Sequence, residues 1–276
     1  MTPLRHLAPV CIVALAIAWA DNVRANPMPL PFTYTYPTLP KGEGEVEQYV
    51  DLTPILAPSA STGNNVFYTA TQFQTELEYG ISDHLELGLY VALLPNPVTI
   101  NSSVGYTATL TEGTGFKERL RWRIAEEGEL PVDIALYGEL VEFETEFEIE
   151  AKIILAKRFG NLTVATNLWG EREYEYAARN WDWVINPTLG ATYELSPMWH
   201  LGVEGWMRAE WPTPAPSPRP FALGPHEFVG PTVMIDFGKI WWSTGAYLRV
   251  DDIGRKAQLD DNYGPVWFRT IIGMGF

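Results

Sequence analysis

After residue 20 the chain never runs apolar for long; segment after segment alternates apolar and polar residues one for one. In VFYTATQFQTELEYG, Phe67, Thr69, Thr71, Phe73, Thr75, Leu77 and Tyr79 share one face, and Gln72, Gln74, Glu76 and Glu78 the other. ISDH turns the chain, and LELGLYVAL resumes with Leu85, Leu87, Leu89, Val91 and Leu93 on the apolar face. Only a β-strand sends successive side chains to opposite faces, so the pair reads as a long hairpin with one greasy and one polar side.

The pattern recurs twelve times, centred on residues 44–52, 66–80, 84–94, 116–125, 131–142, 146–158, 162–170, 181–195, 199–211, 227–237, 240–250 and 265–276. The connections alternate too. After even-numbered segments they are short, as in ISDH, FGN, SPM and FGK, with AEEGELP the longest. After odd-numbered segments they are mostly long, as in GEREYEYAARN, WPTPAPSPRPFALGP and VDDIGRKAQLDDNYG, with residues 143–146 a short exception. Short turns at one end and long loops at the other predict an all-β, up-and-down antiparallel transmembrane barrel of about twelve strands in the outer membrane of a Gram-negative cell. A soluble sandwich would expose long apolar faces to water, whereas lipid accounts for them.

The N-terminus agrees with export. MTPLRH is a short basic start, LAPVCIVALAIAW an apolar run, and Ala18-Trp19-Ala20 a small-residue cleavage pattern, so residues 1–20 read as a cleaved signal peptide; a cut after Ala25 is the alternative. Cys11 is the single cysteine and lies in that run, leaving residues 21–276 without a disulfide. Residues 21–42 form a segment rich in proline and aromatics, expected to be extended and irregular, and residues 43–276 form the barrel. Whether the Pro27–Pro40 stretch enters the lumen as a plug or hangs in the periplasm stays open at this point.

In WFRTIIGMGF, Phe268, Thr270, Ile272, Met274 and Phe276 share a face, and the sequence given stops on an aromatic. This resembles the terminal strand by which outer-membrane barrels are recognised by the barrel assembly machinery, which would make Ile272, Met274 and Phe276 an assembly signal. TELEYGISDHLELGLYVALL, FEIEAKIILAKRFGNLTVATNLWG and LGATYELSPMWHLGVEGW resemble transporters of the MetA pathway of phenol degradation, over most of residues 66–210. That resemblance implies a channel-like barrel and brings no catalytic residues with it.

The segment FKERLRWRI places Lys117, Arg119, Arg121 and Arg123 at every second position and Phe116, Leu120, Trp122 and Ile124 in the alternate register, with Glu118 the exception. If the apolar set faces lipid, the basic ladder points into the barrel. Formal net charge is −15, with acids along the whole length, so a polyanion is repelled and no nucleic-acid partner is expected. Parity sends Asp133, Glu139, Glu146, Glu148 and Glu150, with Glu45, Glu47, Glu76, Glu78 and Glu86, toward the same interior, and Lys152, Arg158, Arg208, Arg249 and Arg269 add scattered positive charge. Two outcomes stand: a narrow water-filled pore for a small polar or amphipathic solute, aromatic ones included, or a lumen closed by ion pairs, because unpaired charge away from water is costly. Twelve strands lie between filled and open barrels and do not decide.

Catalysis finds little support. His6 is in the leader, His84 in a turn, His226 in a long loop and His200 at a turn end, and no GxSxG elbow exists. Closely spaced glutamates read as a lumen face rather than a glycosidase pair. Asp251, Asp252, Asp260 and Asp261 match no calcium-loop spacing, and neither metal nor cofactor is expected. Trp122, Trp199, Trp241 and Trp242 near the short turns, with Trp181, Trp183, Trp211 and Trp267 near the long loops, are expected to form two interfacial girdles.

Overall fold

In the computed structural model, residues 25–58, 62, 64–93, 114–177, 179–213, 223–251, 253 and 263–276 are described. The leader, most of the connections 211–225 and 251–264, and Asp252, Asp260 and Asp261 lie outside them.

Among the described residues, thirteen strands run in chain order: β1 (Gly44–Pro58), β2 (Asn65–Ser82), β3 (Leu85–Leu93), β4 (Gly115–Arg123), β5 (Asp133–Phe143), β6 (Glu146–Phe159), β7 (Leu162–Glu175), β8 (Asn180–Ile185), β9 (Thr188–Ser196), β10 (Trp199–Thr213), β11 (Leu223–Asp236), β12 (Ile240–Arg249) and β13 (Val266–Gly275). Neighbours pair antiparallel, and β13 returns to β1, from Glu45 opposite Gly275 to Leu52 opposite Phe268. The sheet is thus a closed barrel with no open edge, which is how strands satisfy their backbone groups in lipid.

β8 and β9 occupy one strand position. Both pair with β7 on one side and β10 on the other. The segment expected as one strand over 181–195 is split at Asn186-Pro187, because Pro187 has no N–H to give the ladder. Asn186 N–H still bonds Trp169 O at 3.1 Å, and Met207 N–H bonds Pro187 O at 3.1 Å, so the wall stays closed and the barrel has twelve staves.

Alternation decides which face each residue takes. Along β4, Leu120 is 49% exposed on the outer surface while Arg119 beside it is fully buried within. Leu77, Leu89, Leu140, Ile149, Leu168, Leu201 and Ile272 continue the outer apolar belt. Two of the expected girdle tryptophans are not on it. Trp241 is fully buried and donates its indole N–H to Glu45, and Trp267 bonds Asp51 at 2.9 Å inside the barrel. The signal was present in the sequence: Trp241 is in register with Arg249, and Trp267 with Arg269.

The N-terminal segment is inside. Ala25 N–H bonds Gly238 O at 3.2 Å in the β11–β12 turn, and Lys41 N–H bonds Asp83 Oδ1 at 3.0 Å in the β2–β3 turn, so the chain enters and leaves at the short-turn end. Between them Leu30 and Tyr36 pack against Ala135, Tyr137, Ile154, Ala156 and Ala165, and Met28 packs with Tyr49, Trp241 and Ile271. Phe32 lies deeper, against Trp206, Tyr247 and Trp267.

Candidate functional site

An irregular segment in a lumen carries backbone donors that no ladder satisfies, and buried donors must find acceptors. The inward-facing side chains supply them. Asn26 N–H bonds Glu45 at 2.6 Å, Phe32 N–H bonds Glu204 at 3.0 Å, Tyr34 N–H bonds Asn167 Oδ1 at 2.8 Å, and Leu39 N–H bonds Glu86 at 2.7 Å. Asn167 returns its amide to Tyr34 O at 3.0 Å. Pro27, Pro29, Pro31, Pro37 and Pro40 reduce the number of donors to be met. Three inward carboxylates, Glu45, Glu86 and Glu204, therefore hold the plug.

The basic ladder is bound to carboxylates of the neighbouring strands, Glu86 among them. Arg119 donates to Glu86 at 2.7 Å, to Glu76 at 2.6 Å and to Glu78, and Arg121 bonds Glu86 at 2.9 Å. Gly88 opposite Arg119 leaves room for the guanidinium, since a Cβ there would stand 2.6 Å from its Nε. The rings of Tyr34, Tyr90 and Tyr137 surround it at 5.6–5.8 Å. Lys117 lies 3.8 Å from Glu139, whose carboxylate also accepts from Tyr137 at 2.5 Å. Arg123 is at the turn end, on Asp83 O and Glu126 at 2.7 and 2.6 Å.

Lys152, Arg208, Arg269 and Arg249 carry the other inward positive charges. Lys152 meets Glu150 at 2.6 Å and lies 3.5 Å over the ring of Trp169. Arg208 binds Glu171, Glu173 and Glu210 at 3.1, 2.5 and 2.8 Å. Arg269 grips Asp51 through two nitrogens at 2.8 Å and covers Phe32 at 3.8 Å. Arg249 bonds Asp251 and His226, the latter on β11 rather than in a loop. Burial favours a protonated Asp251, but the Arg249 bonds and the Glu227 N–H outweigh it and hold the carboxyl below its usual range. Glu148 is buried beside Glu171 and Glu173.

Between these charges and the plug lies a cavity of about 110 Å³, walled by rings such as Phe32, Tyr34, Trp169 and Trp206 and by Glu139, Glu148, Glu171, Lys117 and Arg208. It suits a solute with an aromatic or apolar face and polar edges. At the barrel's end, Phe276 and Gly44 exchange backbone bonds of 2.8 and 3.0 Å; Ile272 faces outward, and Met274 is half-buried. Sequence reasoning did not single out Glu204, Asn167 and Asp51, which hold the plug and Arg269. Glu204 and Asn167 have the inward parity of Arg208 and Trp169, but their partners lie over a hundred residues away in the chain.

Neither a family model nor a curated protein matches the chain. Among solved structures it is similar to the COG4313 outer membrane channel from Pseudomonas putida F1, with 12% identity over 87% of this chain and 98% of that one and a TM-score of 0.54. The KdgM porin covers 84% of this chain and 99% of its own at 7% identity and a TM-score of 0.52. The NanC porin covers 84% and 98%, also at 7% identity and 0.52. At such identities the likeness speaks for the fold, a twelve-stranded outer-membrane barrel.

Proposed function

We propose that this barrel is an outer-membrane channel for a small polar or amphipathic solute, with residues 25–42 setting the width of its path. The supporting observation is the cavity of mixed charge and aromatic walls directly above the plug, in a barrel otherwise packed at its turn end. Inward carboxylates outnumber inward bases, so the path favours cations and neutral solutes over anions. A solved structure has the KdgM porin in complex with disordered oligogalacturonate, an acidic chain that this lumen suits poorly. The resemblance of residues 66–210 to phenol-pathway transporters, together with the ring-lined cavity, favours an aromatic solute. No residue is assigned to catalysis in this reading.

A second reading has its own support. Plug and Arg119 network together fill the turn end, which favours a non-conducting barrel whose outer loops act. Planar-bilayer recording separates the two. The channel reading expects small cation-selective steps from the whole protein and larger ones after internal deletion of residues 27–40. Silence from both would establish the non-conducting barrel.

A further inference from the structure

The inward bases Lys117, Arg119, Arg121, Lys152, Arg208 and Arg269 each meet a carboxylate. One outward base does not. Arg172 on β7 stands between the inward, buried Glu171 and Glu173, so alternation sends it to the lipid face, three residues from the loop end of its strand. It is opposite Ile149 on β6 and Trp183 on β8, both exposed there. Its guanidinium lies 4.6 Å from the ring of Trp183 and 5.3 Å from that of Trp181. Among the described residues no carboxylate pairs with it, and its Nη1 is buried without a hydrogen bond. By register the outward Glu142 on β5 and Glu118 on β4 are two and three strands away, about 10 and 14 Å across the sheet.

Contact with two indoles holds a guanidinium still without neutralising it. The anion that a fixed, weakly hydrated guanidinium matches best is phosphate, taken through paired N–H donors. At the edge of a lipid-facing belt, phosphate is carried by headgroups.

A second feature of the same face points to a lipid. One outward step toward the turns from Arg172, Gly170, Ala151 and Gly138 stand side by side on β7, β6 and β5. A Cβ on Gly138 would meet nothing within 4 Å, and one on Gly170 only Val184 O at 3.9 Å. These small residues form a furrow between two ridges, Leu140–Ile149–Arg172 on the loop side and Leu136–Ile153–Leu168 on the turn side, whose Cα rows are about 13 Å apart. The furrow begins directly beneath the guanidinium and has the width for a hydrocarbon chain.

We propose that Arg172, seated on Trp181 and Trp183, binds the phosphate of a phosphorylated glycolipid of the outer leaflet, with one acyl chain lying in the Gly170–Ala151–Gly138 furrow. Barrels of this kind turn their long loops outward, which puts Arg172 at the outer headgroup level. The site lies on the opposite face of the wall from the lumen and is independent of conduction.

The test is native mass spectrometry of the whole folded barrel in detergent, with lipid A as probe. The expected result is one lipid A retained per barrel, about tenfold or more tighter than lipid A stripped of its phosphates. Arg172→Gln should erase that preference and Arg172→Lys keep part of it. Gly138→Leu, which fills the furrow, should weaken retention of both lipids, and Lys157→Gln, at the turn end of β6, should change neither. Heat-modifiable mobility reports folding of each variant, and the two-lipid comparison on the unaltered barrel decides even if Arg172→Gln does not fold. Equal retention of the two lipids overturns the proposal, as does an unchanged preference in Arg172→Gln. Unchanged retention in Gly138→Leu removes the furrow from it. Displacement of lipid A by inorganic phosphate at equal concentration would make this a site for the free anion and overturn the lipid.

Discussion

Arg119 carries an unusual share of the barrel's internal electrostatics. Fully buried, it faces Glu76 and Glu78 from β2 and Glu86 from β3, and Glu86 in turn holds Arg121 and the Leu39 N–H of the plug. Removing one partner of a buried ion pair leaves the others uncompensated, at a cost of about 3–5 kcal/mol. Arg119→Met should therefore lower the unfolding midpoint in denaturant markedly, and Glu78→Gln in the same chain should restore part of the loss. An unchanged midpoint in the single variant would mean that water reaches these carboxylates. That a basic ladder lies on β4 is plain from a period of two. Which carboxylates it meets is not, because the pairing depends on register across three strands and on the space left at Gly88.

Among elements, the plug and the β9–β10 wall are fitted to each other. Leu30 lies where a Cβ on Gly190 would come within 2.7 Å of its side chain, and one on Gly202 within 3.2 Å. Gly190→Val should push Leu30 off the wall, with overpacking costing about 1–3 kcal/mol. The expected readout is a larger or noisier single-channel current in a barrel that still migrates as folded; an unaltered current would show that Leu30 does not set the path. The strands and the alternation of short and long connections were legible because lipid outside and charge inside impose a strict period. The plug was not, since an irregular, proline-rich segment has no period, and its position is fixed by Glu45, Glu86, Asn167 and Glu204, whose backbone partners no local pattern announces. Trp241 was misplaced for a related reason: of two adjacent tryptophans one must face inward, and only the register of Arg249 says which.

At the scale of the molecule, the barrel closes where its last residue meets its first strand, through the mutual bonds of Phe276 and Gly44. We propose Phe276 as the assembly signal together with this closing contact, and the two roles separate experimentally. Deletion of Phe276, or Phe276→Asp, should reduce the folded band in outer membranes while export continues. If recognition is the cause, the purified deletion variant should refold in detergent as readily as the parent; if the seam is the cause, it should not, and normal folded levels in cells would dismiss both roles. The plug adds a consequence of geometry. Because Ala25 and Lys41 are both anchored at the turns, the inserted chain is a loop with its two feet on one rim, and no end has to be drawn through the pore to remove it. A pull on the chain from the turn end would then lift it out a bond at a time, at low force, and leave the staves of the barrel standing, so that on release the loop could seat itself again.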